Sequence, residues 1–197
     1  MRPTRILDHT SRIAARRESL RGALLQVIPS SSRFVWEVGS GHGHFLVAYA
    51  AAHPKEHCIG IDIASDRIAR AVRKHERARL PNLHFVRADA EDFLAAIPKG
   101  ARLTAIFILF PDPWPKRRHH KKRVMTHEFL GAAAAAAGQG AGLYFRTDHE
   151  PYFREAATAI RAHADWKESD PAQWPFEEPS VFQKRAERYF SIAATRR

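Results

Sequence analysis

Residues 103–110 read LTAIFILF, an apolar run broken only by Thr104. A run this short, rich in β-branched and aromatic side chains, is read as a strand covered on both faces, because a strand with one wet face alternates polar with apolar residues. Such a strand needs a layer on each side of its sheet, and the chain around it supplies the pieces. Residues 33–38 (RFVWEV), 56–63 (EHCIGIDI), 83–87 (LHFVR) and 142–147 (GLYFRT) are further strands. Helical spacing separates them. FLVAYAAAH is ended by Pro54; Ile68, Ala69 and Val72 share a face behind a Ser65 cap; Phe93, Leu94 and Ile97 make a short helix. Thr126 caps a helix through Phe129, Leu130 and the alanines up to Ala137, closed by Gly138 and Gly140, and Tyr152 and Phe153 open another that reaches about His163. Five strands alternating with helices predict an α/β fold with a parallel sheet and right-handed crossovers. Residues 164–169 and 187–195 predict two last strands that pair antiparallel. Leu20, Leu24, Val27 and Ile28 place an amphipathic helix ahead of the first strand, stopped by Pro29. At 197 residues one domain is expected, with residues 1–32 as a basic arm and helix and 33–197 as the α/β domain.

In parallel sheets of this kind ligands bind beyond the carboxyl ends of the strands. Gly39, Gly41 and Gly43 follow the first strand, where they allow a sharp turn and close approach of backbone to a ligand. Their G-x-G-x-G spacing departs from the dinucleotide fingerprint, so a pyrophosphate is not specifically implied. Asp62 ends the second strand about 20 residues later, where nucleotide-binding α/β units place an acid for ribose hydroxyls. Asp89 follows the third strand, where capping the next helix and facing an adenine amino group are compatible roles. Asp112 and Asp148 follow the fourth and fifth.

Asp112 sits in FPDPWPKRRHHKKR, residues 110–123. Pro111, Pro113 and Pro115 each fix their own φ and push the preceding residue toward extended geometry, so the backbone carrying Asp112 and Trp114 is expected to be stiff and non-helical. Lys116, Arg117, Arg118, Lys121, Lys122 and Arg123 then concentrate positive charge that phosphate would neutralise; the alternative is a solvated face after a plain turn. The net charge of +11 and a pI near 10.4 favour an acidic partner. The arginine-rich first residues read as a further RNA-facing arm. Cys58, the lone cysteine, can make neither an internal disulfide nor a cysteine metal cluster, which suits a reducing cytoplasm. No apolar run approaches the ~20 residues that span a bilayer, so a soluble protein is expected.

The motifs E-V-G-S-G-H-G at 37–43, G-I-D at 60–62, F-P-D-P-W-P-K at 110–116 and T-D-H at 147–149 together resemble the tRNA (guanine-N7)-methyltransferases. The resemblance implies a single-domain, Rossmann-like class I methyltransferase fold: a seven-stranded, mostly parallel sheet with an antiparallel last strand. It also implies S-adenosylmethionine as cofactor, tRNA as partner and methylation of a guanine in the variable loop, with no metal. Carried over by position, Glu37, the three glycines, Asp62, Asp89 and Asp112 face the cofactor, with Asp112 also the catalytic carboxylate. Lys116 and Asp148 face the guanosine, and Arg117, Arg118, Lys121, Lys122 and Arg123 face RNA. The family's Thr-x-x-Glu falls on Ser180 and Gln183, where a charge is lost and the following segment is short. Two other readings stay open: a catalytically impaired RNA-binding paralogue, and a class I methyltransferase with another substrate. A monomer is expected.

Overall fold

The structure, a computed structural model, describes residues 3–170, 174–178 and 186–197, without the side chains of residues 3–10 and Arg12. In chain order the elements are α1 (Pro3–Val27), β1 (Arg33–Val38), α2 (His44–Ala52), β2 (His57–Asp62), α3 (Ser65–Ala78), β3 (Leu83–Arg87), α4 (Ala90–Ala96) and β4 (Arg102–Leu109). A 3-10 helix (Arg117–Lys122), α5 (His127–Ala136), β5 (Ala137–Thr147), α6 (Glu150–Ala162), β6 (Trp166–Glu168) and β7 (Phe190–Arg196) follow. The strands form one sheet in the order β3-β2-β1-β4-β5-β7-β6. β1 to β5 are parallel, and β7 lies antiparallel between β5 and β6.

Both faces of the sheet are covered, as the LTAIFILF run requires. On one face Trp36, Ile106, Ile108 and Phe145 pack against α1, α4, α5 and α6; on the other Val35, Ala105 and Phe107 meet Phe45 and Tyr49 of α2, with Phe176 against the same cluster. Leu20, Leu24 and Ile28 are buried, so the second half of α1 belongs to the larger core cluster. Strand order reverses between β1 and β4, because the chain steps outward through β2 and β3 before returning to the middle. Such a reversal opens a crevice at the carboxyl ends of the two strands.

Four local expectations are corrected. Ala64, not Ser65, is the N-cap of α3, and Ala71 rather than Ala69 is buried on its inner face. β5 begins at Ala137 straight off α5, so Gly138 and Gly140 lie within strand and do not end the helix. Phe110 and Trp114, each before a proline, have φ of 50° and 43°, in the left-handed region and not the extended one. Finally, Arg123 is buried, with its guanidinium turned inward.

Candidate active site

The glycine turn is built on backbone that other residues adopt at a cost. Gly39, Gly41 and Gly43 all have positive φ, between 54° and 72°. At Gly43 space is also decisive: a Cβ there would lie 2.5 Å from the Phe85 ring. The turn is pinned to β2 twice. Ser40 N donates to Ile61 O at 2.7 Å, and Gly41 N donates to Asp62 Oδ2 at 3.1 Å. Asp62 Oδ1 accepts from Ala64 N at 2.8 Å, so this buried carboxylate ties the turn after β1 to the turn after β2. Each carboxylate oxygen retains acceptor capacity for a further donor, since it offers two lone pairs.

Glu37, the penultimate residue of β1, lies on the α2 face and is 4% exposed. Burial raises its pKa to about 8, helped by the charge of Asp62 and opposed by a backbone hydrogen bond from Leu46. Its Oε2 is buried and has no hydrogen-bond partner among the described residues. Leaving a buried acceptor unpaired costs roughly 1–3 kcal/mol, which a donor or cation reaching Glu37 would relieve. A sulfonium or ammonium group beside Glu37 and Asp62 fits these residues. Ile63, next to Asp62, is 68% exposed and offers an apolar surface on the same rim.

Asp89 is an N-cap: its Oδ1 accepts from Asp92 N at 2.8 Å. Oδ2 stays partly exposed at the rim, 3.5 Å from Arg16 Nη2. Capping thus engages Oδ1 with the helix, while Oδ2, paired with the exposed Arg16, keeps a lone pair at the rim. Arg16 and Arg17 of α1 also grip Asp92, Arg17 Nε at 2.6 Å; burial pushes that carboxyl up, but the two arginines outweigh it and hold it below the usual range. These arginines are engaged with α4.

Beyond β4 the loop is stitched to β5 where Phe110 N donates to Arg146 O at 2.7 Å. This puts the loop bearing Asp112 beside the turn bearing Asp148, and both carboxylates are exposed. His149 N bonds to Thr147 Oγ1 at 3.2 Å, and His149 Nδ1 caps α6, so the turn around Asp148 is held from both sides. Lys116 is the exposed N-cap residue of the 3-10 helix, which presents Arg117, Arg118, Lys121 and Lys122 to solvent. Lys122 Nζ lies 4.5 Å over the Trp114 ring. Arg123 leaves this basic set, as described above. Ser180 and Gln183 lie outside the described residues.

All the described candidates therefore occupy the carboxyl rim of the sheet, on either side of the β1–β4 crevice. A cavity of about 410 Å³ lies instead at the opposite end, among Arg33, Tyr49, Glu56, His57 and Tyr144, and holds none of these carboxylates. No three or more His, Cys, Asp or Glu among the described residues are grouped to hold a metal ion, and no described helix is long and apolar enough to cross a membrane.

A family model described as "Putative methyltransferase" matches residues 31–191. The chain is 33% identical over 155 residues to the tRNA (guanine-N(7)-)-methyltransferase of Lacticaseibacillus casei, covering 79% of this chain and 72% of that protein. The chain belongs to the tRNA (guanine-N7)-methyltransferase family. Its relative in Streptomyces coelicolor is 32% identical over 148 residues, 75% of this chain and 55% of that protein; the one in Roseobacter denitrificans is 35% identical over 156 residues, 78% and 66%. The chain thus spans between about half and about three quarters of the length of these relatives. Among solved structures, the aminoglycoside resistance methyltransferase NpmB1 superposes with a TM-score of 0.58 at 20% identity, over 90% of this chain and 93% of that one. NSun6 from Pyrococcus horikoshii, solved with SFG, gives 0.60 at 16%, over 90% and 50%. These neighbours share the class I methyltransferase fold.

Two features of this tRNA (guanine-N7)-methyltransferase family member escape a reading of the sequence. Ile63 continues the apolar pattern of β2 and so reads as buried strand, although an apolar residue just past a strand-end acid can equally be rim. Arg146 looks like an ordinary strand residue. Its guanidinium is 5% exposed, pairs in two-pronged fashion with Glu177 at 2.9 and 2.7 Å, donates to Ser191 Oγ and lies 4.0 Å over Trp174 and 4.8 Å over Tyr189. The aromatic and acidic residues of 174–178 are the available signal.

Proposed function

We propose that this chain transfers the methyl group of S-adenosylmethionine to N7 of a guanine in the variable loop of tRNA, acting as a cytoplasmic monomer. The observation that carries the reading is the rim itself: a buried, half-satisfied acid beside Asp62 on one side of the crevice, and a proline-framed carboxylate followed by an exposed basic helix on the other. When bound, S-adenosylmethionine supplies an electrophilic methyl on a positively charged sulfur.

Glu37 and Asp62 would hold the cationic and hydroxyl ends of the cofactor, Ile63 the flat face of its base, and the rim-facing Asp89 Oδ2, which also pairs with Arg16, a base amino group. Guanine N7 carries a lone pair at neutral pH, so this chain need not remove a proton; its residues must align and hold charge. Asp112 and Asp148 lie where an anion stabilises the positive charge that methylation builds on the purine. Arg117, Arg118, Lys121 and Lys122 would neutralise phosphates, and Lys116 would reach the guanosine. The test is mass spectrometry of tRNA nucleosides after incubation with protein and S-adenosylmethionine. Formation of N7-methylguanosine supports the reading; its absence alongside salt-sensitive tRNA binding favours a non-catalytic RNA-binding protein.

A further inference from the structure

Asp112 is bracketed by two strained residues. Phe110 and Trp114 are non-glycine residues with φ of 50° and 43°, and each precedes a proline, which narrows its choices further. Backbone of this kind persists only where surrounding contacts hold it. Phe110 is held by its bond to Arg146 O. For the other side the geometry points to Arg123: we propose that this residue positions the Asp112 loop against α6 and makes no contact with RNA.

The guanidinium is occupied on every edge the structure describes. Nε donates to Pro113 O at 2.8 Å and Nη2 reaches Trp114 O at 3.5 Å, so the two carbonyls following Asp112 bond to one rigid fork. Nη1 pairs with Glu155 of α6, and the plane lies 4.7 Å over the ring of Tyr152. Tyr152 is fully buried in the first turn of α6, four residues after Asp148, and its hydroxyl accepts from Met125 N at 3.2 Å. One side chain therefore couples the loop of Asp112 to the helix that follows Asp148. A phosphate could reach Arg123 only by displacing these partners. A lysine cannot replace it, because an ammonium lacks the planar fork that spans two carbonyls and a carboxylate.

The kinetic consequence of this role rests on the methyltransferase reading, the structural one does not, and the experiment separates the two. The full chain is labelled with 5-fluorotryptophan and compared by fluorine NMR as wild type, Arg123→Met, Arg123→Lys and Glu155→Gln, with Trp114→Phe assigning the loop resonance. Trp36 and Trp166, both fully buried elsewhere, serve as internal controls. The expected result is that the Trp114 resonance shifts or broadens in both Arg123 variants, and less in Glu155→Gln, while Trp36 and Trp166 stay in place. Single-turnover methylation at saturating tRNA should fall about ten- to a hundred-fold, the scale of a displaced reacting group. The salt dependence of tRNA binding should keep its slope. An unmoved Trp114 resonance, or a salt slope lower by about one unit with the rate retained, would overturn the proposal and make Arg123 a phosphate ligand. If Arg123→Met disturbs Trp36 and Trp166 as well, Glu155→Gln decides: movement confined to Trp114 supports the clamp, and none refutes it. If the wild type forms no N7-methylguanosine, the functional reading fails while the resonances still judge Arg123.

Discussion

Glu37 makes the stability of the cofactor-free protein depend on pH in a direction opposite to most carboxylates. Its pKa moves from 4.5 to about 8, chiefly through burial and secondarily through Asp62. A group whose pKa is raised on folding contributes fully below its unfolded value and loses that contribution as pH rises through the folded one. Between pH 4.5 and 8 the folded state must therefore keep a proton that the unfolded chain would release. At 1.36 kcal/mol per unit the penalty at pH 7 is on the order of 3 kcal/mol. His84 pulls the other way: burial, with help from His57 and His75, lowers it to about 4, so its stability contribution is lost as pH falls from 6.5. The two overlap between pH 4.5 and 6.5, and wild type alone would not separate them. Glu37→Gln keeps the shape and removes the titration. Urea unfolding of both proteins, without cofactor, at pH 5, 6, 7 and 8 gives the difference at each pH. The variant should gain on wild type by about 1 kcal/mol per pH unit from pH 5 upward, flattening near pH 8. Parallel profiles would mean that Glu37 stays ionised through water or a neighbour, and the reasoning about its orphaned oxygen would fall.

Asp112→Asn should lower the single-turnover methylation rate far more than tRNA affinity, since its proposed partner is charge that develops in the transition state; an unchanged rate contradicts the role. Replacing Arg117, Arg118, Lys121 and Lys122 with Ala should weaken tRNA binding and flatten its salt slope by roughly one unit for each phosphate no longer neutralised, whereas an intact slope makes the 3-10 helix a solvated face. Gln183→Glu should raise the initial rate on unmodified tRNA several-fold, because a charge-assisted hydrogen bond exceeds a neutral one by about 1 kcal/mol; equal rates would show that the position does not meet the guanine.

Element order is legible because hydrophobic period and strand length carry it, and the rim follows because a parallel sheet places its loops by topology. What stays hidden is set by contacts between distant residues. No local signal separates Arg123 from Lys122, its neighbour in a run of uniform charge, yet one is clamped between Pro113 and Glu155 and the other lies over Trp114. The left-handed Phe110 and Trp114 contradict the ordinary preference before proline, and the bonds to Arg146 and Arg123 show what holds the loop there. At Ala137 the alanine run argues for continued helix, but pairing with Leu103 turns the residue into strand: a ladder neighbour outweighs local propensity.

The same separation bears on the net charge of +11, which composition alone assigns to an acidic partner. Among the described residues the arginines divide by position. Arg16 and Arg17 brace α1 on Asp89 and Asp92, Arg123 braces the proline loop on α6, and Arg146 braces residues 174–178 on β5. These cations lie within a few ångströms of carboxylates, so their field largely cancels beyond a Debye length of about 8 Å. The field an approaching polyanion meets near the crevice is then set by the exposed Lys116, Arg117, Arg118, Lys121 and Lys122. The internal arginines secure the geometry of the rim, and on the proposed function the basic helix would direct phosphate toward it. Salt should accordingly weaken tRNA binding steeply while leaving the rim's own ion pairs, which are partly buried, much less affected.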